Sequence, residues 1–389
     1  MRLIGLEVLV IGAGVAGLAV ACALAQRGAT VTVLERAAAV TEVGAGVQVS
    51  PNAAAVLRAL GLAAALEACA LRATGIALRD GISGRRLLRL DLARLRPGQG
   101  YHFVHRADLI ELLAEAARAA GVEIELGQTT VAVRSGAVEL SGGGTRRAAL
   151  VIGADGLHSV ARTALIGKVA PFFTGQVAWR CIIPCEAGAA AVAEVHMGPG
   201  RHLVTYPLRG GAMRNIVAVE ERNAWVEEGW NLTDDPRALR TAFAGFAGGV
   251  RGWLDQVETV GLWGLFRHPV AKLWQQAGSD GGLAILGDAA HPMLPFLAQG
   301  AAMALEDAWV LASRVAQADS LAVGLAAYQA ARIDRVTRVV AAANGNARAY
   351  HLRGVARQVA HAGLRVGGAL APGLALRRFD WLYGADVTR

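Results

Sequence analysis

The sequence predicts an α/β fold: a layer of parallel strands and helices, interrupted by a mixed or antiparallel β-sheet and followed by C-terminal helices. Short apolar runs that lead into glycine turns and Ala/Leu-rich helices indicate the parallel layer, near the start and again at residues 148–152 and 283–286. Residues 171–268 instead alternate between apolar and polar side chains, which is typical of a sheet with one covered face. Residues 322–353 and the tail beyond them have a helical pattern.

The first strand, turn and helix carry a GxGxxG pattern. The apolar run 7–11 is followed at once by Gly12, Gly14 and Gly17, and Glu35 ends the next strand, 23 residues beyond Gly12. Such glycines permit a tight turn, close approach of a pyrophosphate and close helix packing, and the acid can accept ribose hydroxyls. This Rossmann-like combination indicates an ADP-containing cofactor and does not separate NAD from FAD.

Two later strand ends carry an aspartate. Asp155 is followed by Ser159 and Arg162, a pattern that fits a capped turn or an anion-binding corner equally well. Asp288 follows a buried strand and precedes a helix that starts at Gly300, so loop amides and a helix N-terminus lie beyond one carboxylate. We predict that the three segments close on one dinucleotide cofactor.

We therefore predict three parts. A discontinuous cofactor-binding domain would comprise residues 1–72, 98–170 and 270–320. Residues 73–97 and 171–269 would form a substrate-binding sheet domain, and residues 321–389 a C-terminal helical segment.

Composition excludes several other classes of protein. The net charge is +8, but only two of the 39 basic residues are lysines and the arginines are dispersed, so nucleic-acid binding is not expected. The four cysteines and nine histidines lack disulfide-framework or metal-ligand spacing, which predicts a cytoplasmic protein without a metal. The uncharged run 8–25 has the length of a signal peptide or a short membrane span, but glycines interrupt it at strand–turn–helix spacing. We expect no integral membrane segment.

Together and in this order, the glycine fingerprint, the Gly-Ala-Asp-Gly corner and the Gly-Asp-Ala-Ala-His-Pro loop resemble the single-component (group A) FAD-dependent aromatic hydroxylases. The resemblance covers nearly the whole chain and is nearest the branch of salicylate hydroxylase, 3-hydroxybenzoate 6-hydroxylase and 6-hydroxynicotinate 3-monooxygenase. It implies FAD as cofactor, with NAD(P)H as a transient co-substrate. It also implies that a flavin C4a-hydroperoxide formed with O2 hydroxylates a small phenolic or hydroxylated aromatic acid.

The resemblance also implies which residues hold the cofactor. Asp155 would bear on both FAD and NAD(P)H binding with support from Arg162, and Asp288 would bind the ribityl and pyrophosphate region. The matching positions are Gly12, Gly14, Ala16, Gly17, Glu35, Arg36, Gln48 (in the loop predicted at 44–50), Arg106, Asp155, Arg162, Asp288, Pro295, Gly300 and Ala301.

On the substrate side, the resemblance implies His202 as the catalytic base, Tyr206 as its partner and Gln299 near flavin and substrate. Histidine has an unperturbed pKa suited to accepting a phenolic proton, although from the residues alone a packed strand histidine is the simpler interpretation. Arg180 could face a substrate carboxylate. Phe296 stands where relatives often have histidine, which makes the expected substrate pocket more apolar and leaves decarboxylating hydroxylation in doubt.

Three alternatives follow from the same residues. A flavin halogenase is disfavoured because Cys181 stands at the second tryptophan of the Trp-x-Trp-x-Ile-Pro strand. A membrane-surface quinone- or isoprenoid-type flavin hydroxylase is favoured by the basic tail, with 11 arginines from Arg314 onward. A non-catalytic flavin-binding protein would be yellow yet never consume NADH. The sequence leaves open the substrate, the choice of NADH or NADPH, and the oligomeric state, with a homodimer as one option.

Overall fold

The computed structural model describes residues 3–39, 45–222 and 232–389. The strands in these ranges are, in chain order, β1 (Glu7–Ile11), β2 (Thr30–Leu34), β3 (Gly46–Val49), β4 (Leu71–Arg72), β5 (Gly75–Asp80), β6 (Arg86–Asp91), β7 (His102–His105), β8 (Glu123–Glu125), β9 (Thr130–Arg134), β10 (Ala137–Leu140), β11 (Thr145–Arg147), β12 (Leu150–Gly153), β13 (Phe172–Pro184), β14 (Val192–Gly198), β15 (Arg201–Leu208), β16 (Met213–Glu221), β17 (Thr233–Asp234), β18 (Val260–Arg267), β19 (Gln275–Gly278) and β20 (Gly281–Ile285).

The α-helices of the same ranges are α1 (Val15–Ala25), α2 (Pro51–Ala59), α3 (Ala63–Cys69), α4 (Leu92–Leu95), α5 (Arg106–Ala119), α6 (Val160–Ile166), α7 (Pro236–Ala242), α8 (Gly248–Asp255), α9 (Gly300–Gln317), α10 (Leu321–Tyr350), α11 (Gly354–Leu370), α12 (Pro372–Arg377) and α13 (Asp380–Tyr383). Short 3₁₀ turns lie at Arg209–Gly211, Gly287–Ala289 and Pro295–Leu297.

A six-stranded sheet has the strand order β19-β20-β12-β1-β2-β8. All neighbours pair in parallel except β19, which is antiparallel to β20 at one edge. Strands β1, β12 and β20 are almost wholly buried because Val, Ile and Leu occupy both of their faces, as predicted for a covered parallel sheet. Since these strands run in the same direction, the carboxyl ends of β1, β2, β12 and β20 lie along one edge, where a cofactor crevice forms in such sheets.

An eight-stranded sheet has the order β17-β18-β13-β16-β15-β14-β5-β6. Its pairs are antiparallel except β14 with β5, so the predicted mixed sheet is confirmed. Helices α7 and α8 cover one face, where Phe243 and Val250 pack on Trp179 and Leu203. The other face contacts the loop at Phe296 and the end of α10. The α/β fold class predicted from the sequence is therefore confirmed.

Two local predictions are wrong. Part of the stretch predicted as a loop at 44–50 forms β3, which pairs with β7 in a three-stranded sheet with β4; Gly44 itself lies outside the described residues. The apolar runs at residues 122–126, 129–133 and 138–140 predict a meander of strands, but β8 joins the six-stranded sheet beside β2, and the meander is β9, β10 and β11. Short apolar runs predict strands but not their pairing partners, which depend on distant residues.

The C-terminal helices contact both large sheets. Helix α10 packs on α9 and β19, whereas α11 packs on β6. The segment 321–389 therefore lies across the molecule, and the division into three parts remains a prediction.

Candidate active site

The loop after β1 leaves open space beside Gly14. A methyl group at Gly12 would lie 2.7 Å from the carbonyl oxygen of Ala154, and one at Gly17 would lie 1.9 Å from that of Gly12, so chain packing excludes side chains there. A methyl group at Gly14 would meet no protein atom within 4 Å, and its φ of −78° suits any residue. Protein packing does not require glycine at this position, so its small size fits the close approach of a phosphate.

Glu35 follows β2 and turns its carboxylate toward the glycine loop. Its Oε2 accepts a hydrogen bond from the Ala13 amide at 2.7 Å, and Oε1 accepts one from the Ala37 amide at 2.9 Å. Each oxygen keeps a second lone pair, which can accept a ribose hydroxyl. Arg36 is exposed next to it.

The three segments singled out in the sequence lie side by side. The glycine loop touches the Asp155 corner where Gly12 approaches Ala154, and a methyl group at Gly287 would lie 3.1 Å from the Ala16 Cβ. The turn that carries Asp288 therefore lies against the start of α1.

Asp155 caps helix α6. Its Oδ1 accepts from the Ser159 hydroxyl at 2.5 Å, and its Oδ2 accepts from the amides of Val160 and Ala161 at 2.7 and 3.2 Å. The Ser159 Oγ in turn accepts from the Arg162 amide at 2.8 Å. The structure thus favours the capped turn over the anion-binding corner, and a direct contact of Asp155 with FAD or NAD(P)H remains a proposal.

Arg162 is buried and holds the Asp288 turn in place. Its Nη1 donates to the carbonyl oxygens of Ala289 and Ala290 at 3.0 and 3.1 Å, and its Nη2 donates to that of Pro269 at 2.8 Å. We infer that Arg162 acts on a cofactor through this turn and not by binding a phosphate.

Asp288 and Arg106 bring opposite charges to this edge of the sheet. Protein surrounds the Asp288 carboxylate on most sides while solvent still reaches it, as in a cleft. Burial raises the pKa of Asp288, and the nearby His291 and Arg106 oppose that rise. Arg106 is the first residue of α5, and burial lowers the pKa of its guanidinium, which Asp288 partly restores. Asp288 can accept hydrogen bonds from hydroxyl groups, and Arg106 can donate hydrogen bonds to phosphate groups.

Helix α9 starts beside the same cleft. The 3₁₀ turn at Pro295–Leu297 is followed by Ala298 in the left-handed region, with φ of 52°, and α9 begins at Gly300. A methyl group at Gly300 would meet no protein atom within 4 Å. The first amides of α9, including that of Ala301, give this end of the helix a positive potential that favours an anionic ligand.

Gln299 is the residue directly before α9, and its side chain is bonded within the protein. Its side chain is fully buried. Its Nε2 donates to the Ser50 hydroxyl at 3.0 Å, and its Oε1 accepts from the side-chain Nδ2 of Asn52 at 3.1 Å. Both ends of the amide are thus used inside the protein. Gln299 therefore ties Ser50 and Asn52 to the start of α9, and its place near flavin and substrate stays a prediction.

A buried charged network under α9, which sequence reasoning missed, supports the Asp288 turn. Arg332 Nη1 donates to Glu306 at 2.5 Å and its Nε donates to Asp307 at 2.7 Å. The other Asp307 oxygen accepts from the Gly287 amide at 3.1 Å and contacts His291 Nε2 at 2.5 Å. The acidic pair is visible in the sequence, but its arginine lies 25 and 26 residues away on another helix.

His202, Arg180 and Tyr206 project from one face of the eight-stranded sheet. His202 pairs with Val219 of β16, and Tyr206 lies four residues further along β15. Arg180 of β13 pairs with Val217 of β16, which pairs in turn with Val204, midway between His202 and Tyr206. Strand geometry separates the Cα atoms of His202 and Tyr206 by about 13 Å, and those of His202 and Arg180 by about 12 Å. The two side chains therefore do not meet directly along β15, and the role of Tyr206 as partner of the base stays a prediction.

Arg180 is a cation with few protein partners. Its guanidinium carbon lies 4.4 Å from the centre of the Trp263 ring, and in the part of the chain that the structure describes its buried Nε has no hydrogen-bond partner. Burial, together with the nearby Arg106, lowers the pKa of Arg180 to about 10. A half-buried guanidinium whose Nε is buried without a partner among the described residues favours an anionic ligand.

Tyr206 is held between Gln48 and Arg180. The Gln48 Oε1 accepts from the Tyr101 hydroxyl at 2.7 Å, beside the Tyr206 phenol. Burial raises the pKa of Tyr206, and Arg180 moderates that rise. Asn215, which the sequence analysis missed, pairs with Tyr206 on the same face, and within the described ranges its buried Nδ2 has no partner. The available signal was an amide side chain directly before the apolar run at residues 216–219.

His202 lies under Phe296. Its ring centre is 5.1 Å from that of Phe296 and 5.2 Å from that of Tyr350, and the side chain is 1% exposed. Burial, reinforced by His351, lowers the pKa of His202 well below its usual value. The imidazole is therefore neutral at pH 7 and can accept a proton.

Comparison with known proteins decides the family. Residues 5–343 match the FAD binding domain family. The chain is 34% identical to a 3-amino-4-hydroxybenzoate 2-monooxygenase of Streptomyces platensis, over 98% of this chain and 96% of the relative. It is also 34% identical to the 3-hydroxybenzoate 6-hydroxylase of Polaromonas naphthalenivorans, over 98% and 96% of the two chains. The chain belongs to the FAD-dependent aromatic hydroxylases.

The hydroxylase fold extends to solved structures. The crystal structure of Klebsiella pneumoniae HpxO with FAD and uric acid superposes with a TM-score of 0.81 at 26% identity, over 95% of each chain. FAD is the cofactor of this hydroxylase family, and the residues of the cleft fit it: Gly14 leaves space for a pyrophosphate, Glu35 keeps free lone pairs, and Asp288 faces the cleft with Arg106. None of the described helices is long and apolar enough to cross a membrane.

A methyl group added at Gly14 should affect cofactor binding without affecting folding of this hydroxylase. We expect Gly14→Ala to leave the melting temperature of the FAD-free protein within about 2 °C, because the methyl group enters open space, an effect within the usual ±0.5 kcal/mol of a neutral substitution. FAD affinity should fall roughly ten- to hundredfold, since the methyl group occupies the path of the pyrophosphate at a cost of about 1–3 kcal/mol. Flavin fluorescence titration measures this loss.

Gly17→Ala provides the contrast, because its methyl group would meet the Gly12 carbonyl oxygen at 1.9 Å. This variant should lose stability without any cofactor present. Unchanged FAD affinity in Gly14→Ala would show that the phosphate does not lie there.

Proposed function

We propose that the protein uses NAD(P)H and O2 to hydroxylate a small phenolic or hydroxylated aromatic acid. The observation that supports this most is the placement of His202 and Arg180 on one sheet face beside the loop of Phe296. A neutral base and a buried cation, about 12 Å apart at their Cα atoms, suit the two ends of a hydroxybenzoate.

Each of these side chains has a distinct part in the proposal. When bound, FAD supplies the activation of O2 after reduction by NAD(P)H. His202 accepts the phenolic proton, which raises the electron density of the ring carbon that is hydroxylated. Arg180 holds the carboxylate and fixes which carbon faces the cofactor. Phe296, which is 5% exposed, excludes water from the reacting side of the ring.

The substrates named for the relatives support an aromatic acid with a hydroxyl group. One relative acts on 3-amino-4-hydroxybenzoate and another on 3-hydroxybenzoate. Both compounds carry a carboxylate and a phenol, the two groups that Arg180 and His202 are proposed to bind.

The test is a screen of hydroxylated aromatic acids with the FAD-loaded protein. It would include 3-hydroxybenzoate, 3-amino-4-hydroxybenzoate, salicylate and 6-hydroxynicotinate, each with NADH and with NADPH. We expect at least one acid to stimulate oxidation of the nicotinamide and to give a product heavier by one oxygen atom. A flavin-loaded protein that oxidises neither nucleotide with any acid would contradict the proposal and indicate a non-catalytic flavoprotein.

One surface favours the alternative of a hydroxylase that acts at a membrane surface. Helices α11 and α12 expose a stripe of large aliphatic side chains, each more than half exposed: Val355, Val359, Val366, Leu370 and Leu374. The 45 residues between Asp334 and Asp380 contain eight arginines and no acid. Exposed apolar groups with basic neighbours are typical of helices that bind anionic lipid. Pelleting with vesicles that contain phosphatidylglycerol, compared with phosphatidylcholine alone, separates the two candidates.

A further inference from the structure

His202 is the inner end of a chain of hydrogen bonds that reaches the surface. Its Nδ1 lies 2.7 Å from Nε2 of His351, the residue that follows α10. The Nδ1 of His351 lies 3.0 Å from Oε1 of Glu221, at the end of β16. The side chains of His202 and His351 are almost fully buried, whereas that of Glu221 is 40% exposed.

The charges at the outer end set the direction of these hydrogen bonds. Arg353 Nη2 donates to the second Glu221 oxygen at 2.7 Å. Burial alone would raise the pKa of Glu221, but hydrogen bonds from Arg353 and His351 outweigh it and keep that pKa below its usual value. The ionised carboxylate has only lone pairs to offer, so His351 must carry its proton on Nδ1.

The direction then passes from ring to ring. Because a neutral His351 is protonated on Nδ1, its Nε2 can only accept, and His202 must donate from its own Nδ1. The remaining nitrogen of His202, Nε2, is therefore the unprotonated one. This is the state that a base requires.

We propose that Glu221 and His351 select the basic tautomer of His202 and form a proton relay between the substrate pocket and solvent. The proposal rests on the proposed function only in taking the proton donor to be a phenol. His351 and Glu221 are positioning residues, because both act through His202.

The relay conserves protons at each step. When the phenolic O–H bond breaks, a proton binds His202 Nε2, and the Nδ1 proton of His202 passes to His351 Nε2. His351 then releases its Nδ1 proton to Glu221, from which water removes it. The reverse sequence returns a proton to the product before release.

Other charged groups near these hydrogen bonds are paired with one another. Arg201, at the start of β15, pairs with Glu220 at 3.1 Å, and Arg222 pairs with the same carboxylate at 3.1 Å. Burial, Arg353 and Arg201 oppose a positive charge on His351, whereas Glu221 favours it. Glu220 pairs with Arg201 and Arg222 and forms no ion pair with His351 among the described residues.

Glu221→Gln should reverse the direction of the hydrogen bonds from His202 through His351 to residue 221. Arg353 will select the amide orientation in which Oε1 accepts from its guanidinium, so the NH2 group donates to His351 Nδ1. His351 would then carry its proton on Nε2 and donate to His202, and His202 would be protonated on Nε2. The side chain keeps its size, so the exchange tests direction and not packing.

The measurement is the tautomeric state of both rings, read by nitrogen–proton correlation NMR on FAD-loaded protein labelled with ¹⁵N-histidine. We expect His202 to be protonated on Nδ1 in the wild type and in the control Glu220→Gln, and on Nε2 in Glu221→Gln. An Nε2-protonated His202 in the wild type would overturn the proposal. So would the same tautomer in wild type and Glu221→Gln.

Turnover provides the second measurement. For an acid that the screen identifies, kcat should fall roughly 10²- to 10⁴-fold in Glu221→Gln, as for other bases in the wrong tautomer, with little change in KM. Glu221→Asp should restore part of the rate because it keeps a carboxylate acceptor. The NMR result needs no substrate, so a failure of the relay can be distinguished from a failure of the proposed hydroxylation.

Discussion

Replacement of His202 by alanine should lower kcat/KM for the phenolic substrate by roughly 10²- to 10⁴-fold, the usual contribution of a positioned general base. The phenol would then have to lose its proton to water, and the ring would be less electron-rich when it reacts. FAD content should stay unchanged, because His202 lies on the eight-stranded sheet whereas the glycine loop follows β1 of the six-stranded sheet. Product formation and nicotinamide oxidation, measured together with flavin content, test this expectation.

His196→Ala is the matched control for this variant. His196 is also buried, on the adjacent strand β14, but its ring lies 5.6 Å from that of Trp253 of helix α8. Removal of His196 creates a similar cavity away from the substrate face, so its turnover should remain within a few-fold of wild type. Equal losses in both variants would assign the effect of His202→Ala to packing and would contradict its role as base.

Replacement of Arg332 by methionine should lower the free energy of unfolding by about 3–5 kcal/mol, which is typical when one member of a buried ion pair is removed. Arg332 is 1% exposed and contacts both Glu306 and Asp307, which are fully buried. Burial would raise the pKa of Asp307, but His291 and Arg332 keep it below its usual value. Without Arg332, Asp307 must stay charged with less compensation or take up a proton. Urea unfolding measures the change.

Arg348→Met on the same helix is the matched control, because Arg348 is exposed. Its effect should be within about 0.5 kcal/mol. Since Asp307 also accepts from the Gly287 amide, Arg332→Met should weaken FAD binding as well as the fold. Similar stability in the two methionine variants would show that the network contributes little beyond what apolar packing can replace.

The cofactor half of the site was predicted from local patterns. Gly12, Glu35 and Asp288 stand at strand ends and Gly17 lies in the first turn of α1; the ends of parallel strands meet wherever the sheet forms. Gly14 belongs to the same pattern, but packing does not explain why it is glycine. A methyl group there would meet no protein atom within 4 Å, in contrast to Gly12 and Gly17. A short motif predicts these positions because its geometry is contained within one strand–turn–helix unit.

The substrate half was predicted only as far as residue type. His202 and Arg180 were proposed as site residues, but their shared face depends on the register of β13, β16 and β15. The same register places Val204 between His202 and Tyr206, which the residue types alone did not show. The hydrogen bonds from Gln299 to Ser50 and Asn52 were not predicted, because those two residues lie about 250 positions earlier in the chain.

The sequence by itself determined the fold class, the order of the strands and helices, the cofactor-binding turns and the family of this protein, because each is expressed by neighbouring residues with a fixed period or spacing. Only the tertiary structure showed which residues His202 is hydrogen-bonded to and what supports Asp288. Those answers depend on His351, Glu221 and Arg332, which lie far along the chain from the groups they contact. Hydrogen bonds between distant segments leave no periodic signal, so folding has to bring the partners together before their chemistry is defined.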